Sequence, residues 1–221
     1  MVRECSYTLS SEMAPEEIYE ILKFITLHKP KGTHLEIGTA AGGTLCQILK
    51  HYRYTLKLDQ PDFIVVDPLK YFDRQYEKIC ENFQNHSLSL DNIVFEKKTS
   101  NEAFREKRFS TLAFLLIDGN HKLNHFVDDL RYTRFLEENG LLIIHDYSEK
   151  FEGVQIATNI FLKRYTNYTI LSRVKSLLVL QKNDRSKYNE ITLMDRVVAH
   201  LLGLIIQIYK GFAKRVHCFF C

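Results

Sequence analysis

The chain has 221 residues, 45% of them hydrophobic, which is enough to bury one sizeable core and points to a single domain with appendages. Thirty Lys and Arg against 27 Asp and Glu give a formal charge of +3, too even a balance to mark a nucleic-acid partner. The five cysteines (Cys5, Cys46, Cys80, Cys218, Cys221) show no paired spacing for a zinc site or disulfide framework. The first 25 residues lack a secretory pattern, so a cytoplasmic location is expected.

In chain order, Ser11 to Leu27 reads as an amphipathic helix capped by Ser11 and carrying Ile18, Ile21, Leu22 and Ile25 at helical spacing. After the breaker Lys29-Pro30-Lys31-Gly32 comes a short strand, His34 to Gly38, then a helix from Leu45 to Tyr54. A second strand (Phe63 to Asp67), a helix (Tyr71 to Asn85), a third strand (Asn92 to Glu96) and a short helix (Asn101 to Arg105) continue the alternation. The strongest apolar run, Leu112 to Ile117, is the fourth strand; a helix from Leu123 to Glu137, a turn at Asn139-Gly140 and a fifth strand, Leu141 to Ile144, follow. A helix from Phe151 to Tyr165 leads to two β-prone runs, Tyr168 to Val174 and Leu177 to Gln181, which read as an antiparallel hairpin at the sheet edge.

Apolar strands alternating with helices predict an α/β fold, a doubly wound Rossmann-like seven-stranded sheet, mostly parallel with a C-terminal antiparallel hairpin. The domain is expected to span 1–182, with 183–221 forming a polar linker and an amphipathic helix. That helix, Ile191 to Val216, carries apolar rows at 197, 201, 204, 208, 212 and at 198, 202, 205, with Lys210, Lys214 and Arg215 near its end. It suits packing on the domain, a homodimer seam or peripheral membrane contact. The ending Cys218-Phe219-Phe220-Cys221 only superficially fits a prenylation box, because the last residue is Cys.

Ligands of open α/β sheets sit beyond the carboxyl ends of the strands, so the strand ends are where chemistry is expected. The first gives Glu36-Ile37-Gly38-Thr39-Ala40-Ala41-Gly42-Gly43-Thr44, small residues that let a ligand approach backbone and a helix N-terminus. The second gives Asp67, about 25 residues on, a carboxylate able to accept from both hydroxyls of a ribose. The third passes through Ser100, where a ribose-linked base would lie. The fourth and fifth bring Asp118-Gly119-Asn120-His121 and His145-Asp146-Tyr147 together. Such oxygen and imidazole donors suit Mg²⁺ or Mn²⁺, and His121 alone suits a general base. His34, His51, His86, His125 and His200 read as ordinary surface or satisfied residues, and Asp128 and Asp129 as facing solvent or a basic neighbour.

The segments LEIGTAAGGT (Leu35 to Thr44), IVVDP (Ile64 to Pro68), LLIDGNH (Leu115 to His121) and NGLLIIHDY (Asn139 to Tyr147) resemble, in this order, class I methyltransferases that use S-adenosylmethionine. Among these the chain looks most like the small-molecule O-methyltransferases that include macrocin, rhamnosyl and cephalosporin-cluster enzymes, over roughly residues 15–182. The resemblance implies that Glu36, Gly38, Thr39, Gly42, Gly43 and Thr44 line the donor, with Asp67 on its ribose and Ser100 and Asp118 completing the site. It further implies Asp118 and Asp146 as metal ligands, His121 as base, and a hydroxyl of a sugar or glycosylated small molecule as acceptor. Related metal-dependent enzymes often place an acidic residue beside the one matching Asp146, whereas this chain has His145 and Tyr147. Either His145 is a nitrogen ligand or the site runs without a metal. Two other functions fit the pattern less well: a nicotinamide-dependent oxidoreductase, from Gly38-x-Ala40-x-x-Gly43, and a non-catalytic donor-binding scaffold.

Overall fold

The computed structural model describes residues 11–106, 109–184 and 191–219, the stretch 210–219 as helix backbone. Cys5, Cys221 and most of the expected linker lie outside the described residues. Helix α1 spans Pro15–His28, β1 Thr33–Ile37, α2 Gly43–Lys50, β2 Phe63–Val66, α3 Gln75–Asn85, β3 Ile93–Glu96 and α4 Ser100–Glu106. Then follow β4 Leu112–Ile117, α5 Leu123–Leu130, β5 Leu136–Ile144, α6 Glu152–Arg164, β6 Tyr168–Val174, β7 Leu177–Lys182 and α7 Leu193–Phe219. The seven strands form one sheet in the order β3-β2-β1-β4-β5-β7-β6, with β7 antiparallel to both β5 and β6 and the other pairs parallel.

Both faces of this sheet are covered, which is why its central strands read as unbroken apolar runs. Leu115 and Ile117 of β4 enter a core closed by Phe126 and Leu130 of α5 and Val154 and Phe161 of α6. Phe114 and Leu116, pointing the other way, join Ile21 and Ile25 of α1, Leu45 and Leu49 of α2 and Ile79 of α3. The chain runs outward from β1 to β3 and then returns to β4, so the strand order reverses between β1 and β4. At such a switch point the loops leaving neighbouring strands diverge and open a crevice.

Four expectations about elements need correction. Ser11 does not cap α1. Its hydroxyl lies 2.7 Å from Thr44 Oγ1 and accepts from the Met13 N–H, while Glu17 reaches back 2.9 Å to the Ala14 N–H and closes the helix start. Helix α3 begins at Gln75 and not Tyr71, because Arg74 sits at φ 55° and Gln75 Oε1 accepts from the Tyr71 N–H. Leu136 and Glu137 are strand, and Asn139, at φ 63°, bulges inside β5 where a turn was expected. Lys182 belongs to β7, its buried ammonium donating to the Thr133 and Leu136 carbonyls.

Helix α7 starts with a reciprocal cap, Thr192 N–H to Asp195 Oδ2 at 2.7 Å and Asp195 N–H to Thr192 Oγ1 at 3.2 Å. It lies against α5 through a narrow stripe in which Ala199 is buried and Arg196, Gly203 and Ile206 are partly covered. Arg196 Nε donates to the buried Asp128 at 2.5 Å, and Arg164 pairs with Asp195. Both apolar rows read from the sequence are on the opposite side, exposed through position 208.

Candidate active site

Beyond the carboxyl ends of β1, β2, β4 and β5 lies a cavity of about 1250 Å³. Glu36, Gly38, Thr39, Gly43, Thr44, Asp67, Ser100, Asp118, His121, His145 and Asp146 all line it. Gly42 does not. It sits at φ 77° before α2, with its Cα hydrogen side turned to Ile79 of α3, so its small size serves the helix start.

The floor is made where two strand-end loops cross. Gly38, at φ 81°, passes so close to β4 that a Cβ there would lie 2.2 Å from the Asp118 carbonyl oxygen. Only glycine meets both requirements, the left-handed backbone and the missing side chain. Just before it, Glu36 is 2% exposed and receives the Thr39 hydroxyl at 3.2 Å. Burial, then the nearby charges of Asp118 and Asp67, hold its carboxyl well above the ordinary range. At the next strand end each Asp67 oxygen takes one backbone N–H, Oδ2 from Thr39 at 3.0 Å and Oδ1 from Leu69 at 2.6 Å. Gln75 Nε2 also reaches Oδ1, at 3.5 Å; a carboxylate oxygen has two acceptor positions, so Oδ2 keeps capacity for a further donor.

The far wall is a chain of charged groups. His145 Nδ1 lies 2.8 Å from Asp118 Oδ1 and 3.4 Å from Asp146 Oδ2, and His145 Nε2 lies 3.3 Å from Glu17 Oε2. An imidazole with a carboxylate at each nitrogen is held as the doubly protonated cation. Burial opposes that charge, yet the bonds to Asp118 and Asp146 prevail and push His145 up to about 11. Burial also raises Asp118, only partly offset by His145. Asp146 goes the other way: against its burial, hydrogen bonds from His121 and His145 hold it below the usual carboxylate range. Its backbone is left-handed, at φ 59°, a conformation Asp tolerates better than most residues.

His121 completes the wall. Its Nε2 donates to Asp146 Oδ2 at 2.7 Å and its ring packs on Phe151, centroids 4.2 Å apart. With Nε2 committed to the carboxylate, Nδ1 is the nitrogen left to accept a proton. Gly153, in the first turn of α6, lets that helix approach closely; a Cβ there would be 2.3 Å from the His121 carbonyl.

Several acidic residues at the site were not anticipated: Glu12 and Glu152 line the cavity, burial and then the charges of Asp118 and Asp146 raising Glu12, and Glu17 and Asp129 brace its walls. Glu17 holds Ala14 N–H, Ser176 N–H (2.9 Å), Ser176 Oγ (2.7 Å) and His145, tying α1, the β6–β7 turn and the site together. Asp129 is 1% exposed, receives the Ser100 hydroxyl and lines the cavity, with burial pushing it up to about 8. Asp128 is buried as well but meets the basic neighbours Arg196 and Arg131, one of the two settings expected for it, whereas Asp129 faces neither solvent nor a base. His34 is a satisfied core residue, bonded to Gly32 O and Tyr52 Oη.

A doubly wound sheet with acidic groups at four strand ends around a switch-point crevice defines a ligand-binding α/β enzyme fold. A methyltransferase-domain family model matches residues 35–147, half of the chain, and the chain belongs to that family. No curated protein matches it in sequence. Among solved structures it is similar to the O-methyltransferase NovP, with 17% identity, 76% of this chain and 78% of that one covered, and a TM-score of 0.60. It is similar also to CalS11, a TDP-rhamnose 3′-O-methyltransferase of calicheamicin biosynthesis (13% identity, 78% and 88% covered, TM-score 0.59). An O-methyltransferase from Bacillus cereus, solved with S-adenosylhomocysteine, aligns at 12% identity over 78% and 83% with a TM-score of 0.58. At these identities the likeness is one of fold.

Proposed function

We propose that the chain transfers a methyl group from S-adenosylmethionine to a hydroxyl of a sugar or glycosylated small molecule, with help from a divalent metal. The observation that carries this reading is the pairing of Glu36 and Asp67 on adjacent strand ends flanking the Gly38 turn. Glu36 is a buried carboxylate facing the cavity without a cationic partner among the described residues, and a donor's ammonium is such a partner. Asp67 is positioned for a ribose, as the family resemblance implies. The sugar acceptor rests on resemblance to the macrocin and rhamnosyl group and on the fold shared with CalS11. Membership of a methyltransferase family weighs against the nicotinamide alternative.

The donor supplies an electrophilic methyl on a sulfonium, so the protein's tasks are proximity, alignment and removal of the acceptor proton. His121 Nδ1 takes that proton as the oxygen–carbon bond forms and the sulfur–carbon bond breaks, while Asp146 fixes the ring through Nε2 and stabilises the cation produced. Ligand atoms of Asp118, His145 and Asp146 all lie within 4.8 Å of one another, a donor set that fits Mg²⁺ or Mn²⁺ once His145 gives up its Nδ1 proton. A cation held there would supply Lewis-acid assistance to removal of the acceptor proton.

Calorimetric titration with S-adenosylhomocysteine, with and without Mg²⁺ or Mn²⁺, tests the donor site. Binding that Asp67→Ala reduces by about a hundredfold is expected, since the change removes two hydrogen bonds to a charged acceptor. No heat with the unaltered protein under any condition sinks the reading. Donor binding without transfer to any sugar or glycoside hydroxyl would leave a scaffold.

A further inference from the structure

The polarity of α7 is inside out. Ten apolar side chains between Leu193 and Tyr209 stand exposed, among them Val197, Leu201, Leu204, Ile205 and Ile208. At about 100° per residue they fill roughly half the circumference, over about 25 Å of helix. The centre of that arc is opposite Ala199, the residue buried against the domain. The inward side is held by ion pairs, Arg196 with Asp128 and Asp195 with Arg164. An exposed apolar surface this continuous marks an interaction site.

Charge narrows the choice of occupant. After Asp195 the chain has no acidic residue, whereas Lys210, Lys214 and Arg215 follow the apolar stretch along the same helix. On this helix a second copy brings only Asp195, already paired with Arg164, to meet those cations, and the arc is wider than the narrow seam of paired helices. A broad apolar arc with basic residues and a single acid suits a helix lying in the plane of an anionic bilayer surface. No helix among the described residues is long and apolar enough to cross a membrane.

We propose that α7 is a membrane-surface docking helix, its apolar arc in the headgroup layer of an anionic bilayer and its ion-paired side holding the domain. Gly203, Ile206 and Gln207 on the same helix line the cavity, so docking brings that cavity to the membrane. The proposal does not depend on the methyl-transfer reading.

The test is vesicle flotation of the full chain, using phosphatidylcholine vesicles with and without phosphatidylglycerol, at low and high salt. The protein should float with the anionic vesicles, less so at high salt. In the Leu201→Glu/Ile205→Glu variant the bound fraction should fall roughly tenfold or more with an unchanged melting temperature, both positions being exposed. Lys210→Glu/Lys214→Glu should remove the preference for anionic lipid. Failure to float with either vesicle, or floating that survives Leu201→Glu/Ile205→Glu, overturns the proposal. So does a dimer in sedimentation velocity that this variant dissociates while vesicles stay empty, which assigns the arc to a second copy.

Discussion

Replacing Glu17 with alanine tests whether the site is assembled by a buried carboxylate and not by packing alone. The 2%-exposed side chain accepts from the Ala14 N–H, the Ser176 N–H and hydroxyl, and His145 Nε2. Losing the helix-start bond costs about 1 kcal/mol. Stranding two Ser176 donors and one end of a buried imidazolium raises the total to about 4 kcal/mol. For a chain of this size that lowers Tm by about 10 °C. Glu17→Gln keeps one acceptor for Ser176 but turns an NH₂ toward Ala14 and His145, so about half the loss should remain. Against its burial, hydrogen bonds from Ser176 and Ala14 hold Glu17 below the ordinary glutamate value of 4.5. The part of its contribution that depends on ionisation is therefore complete above 4.5 and fades as pH falls through the folded value, so the gap between wild type and Glu17→Ala should narrow in acid. Urea unfolding at neutral and acid pH reads both effects. Variants within about 0.5 kcal/mol of wild type at neutral pH would refute the reasoning.

Asp146→Asn keeps the shape of the site but removes the charge that orients His121, so turnover should drop by about a hundredfold or more while S-adenosylhomocysteine affinity, read by calorimetry, stays within about twofold. Full activity in that variant removes Asp146 from the chemistry. His34 is buried as the neutral ring, and burial pushes it down to about 4 from 6.5. The unfolded chain binds its proton first, so the associated stability is intact above 6.5 and about 3 kcal/mol is lost as pH falls to 4. Its ring C–H resonances should accordingly show no titration near 6.5, which NMR reads directly.

The sheet was legible because its central strands are buried on both faces. Leu112 to Ile117 can hardly be anything but a central strand, and the hairpin at Tyr168 and Leu177 announced itself by two β-prone runs separated by Lys175-Ser176. Errors fell where tertiary contacts reassign local signals. The helical pattern from Leu123 runs on into Leu136 and Glu137, but pairing of Leu136 with Leu112 draws them into β5, and Asn139-Gly140 becomes a bulge. Ser11 is a good helix cap in isolation; Thr44 competes for its hydroxyl, and Glu17 takes over the cap.

The same division runs through the site. Residues at strand ends could be read in advance because sheet topology alone brings Glu36, Asp67, Asp118 and Asp146 to one crevice. Glu17 and Asp129 could not, since each lies on a helix whose sequence pattern gives the spacing of residues but not what the helix meets. Glu17 reaches His145 across 128 residues of chain, and Asp129 meets Ser100. Helix α7 is the sharpest case. Its periodicity predicts an apolar face, and the ordinary inference would turn that face inward. Instead the inward side carries Ala199 and Ile206, packed on the core, beside the ion pairs of Arg196 with Asp128 and Asp195 with Arg164, and the apolar arc points away from the domain. An apolar arc left in water on the outside of a helix held by its other side is the observation from which membrane docking is inferred.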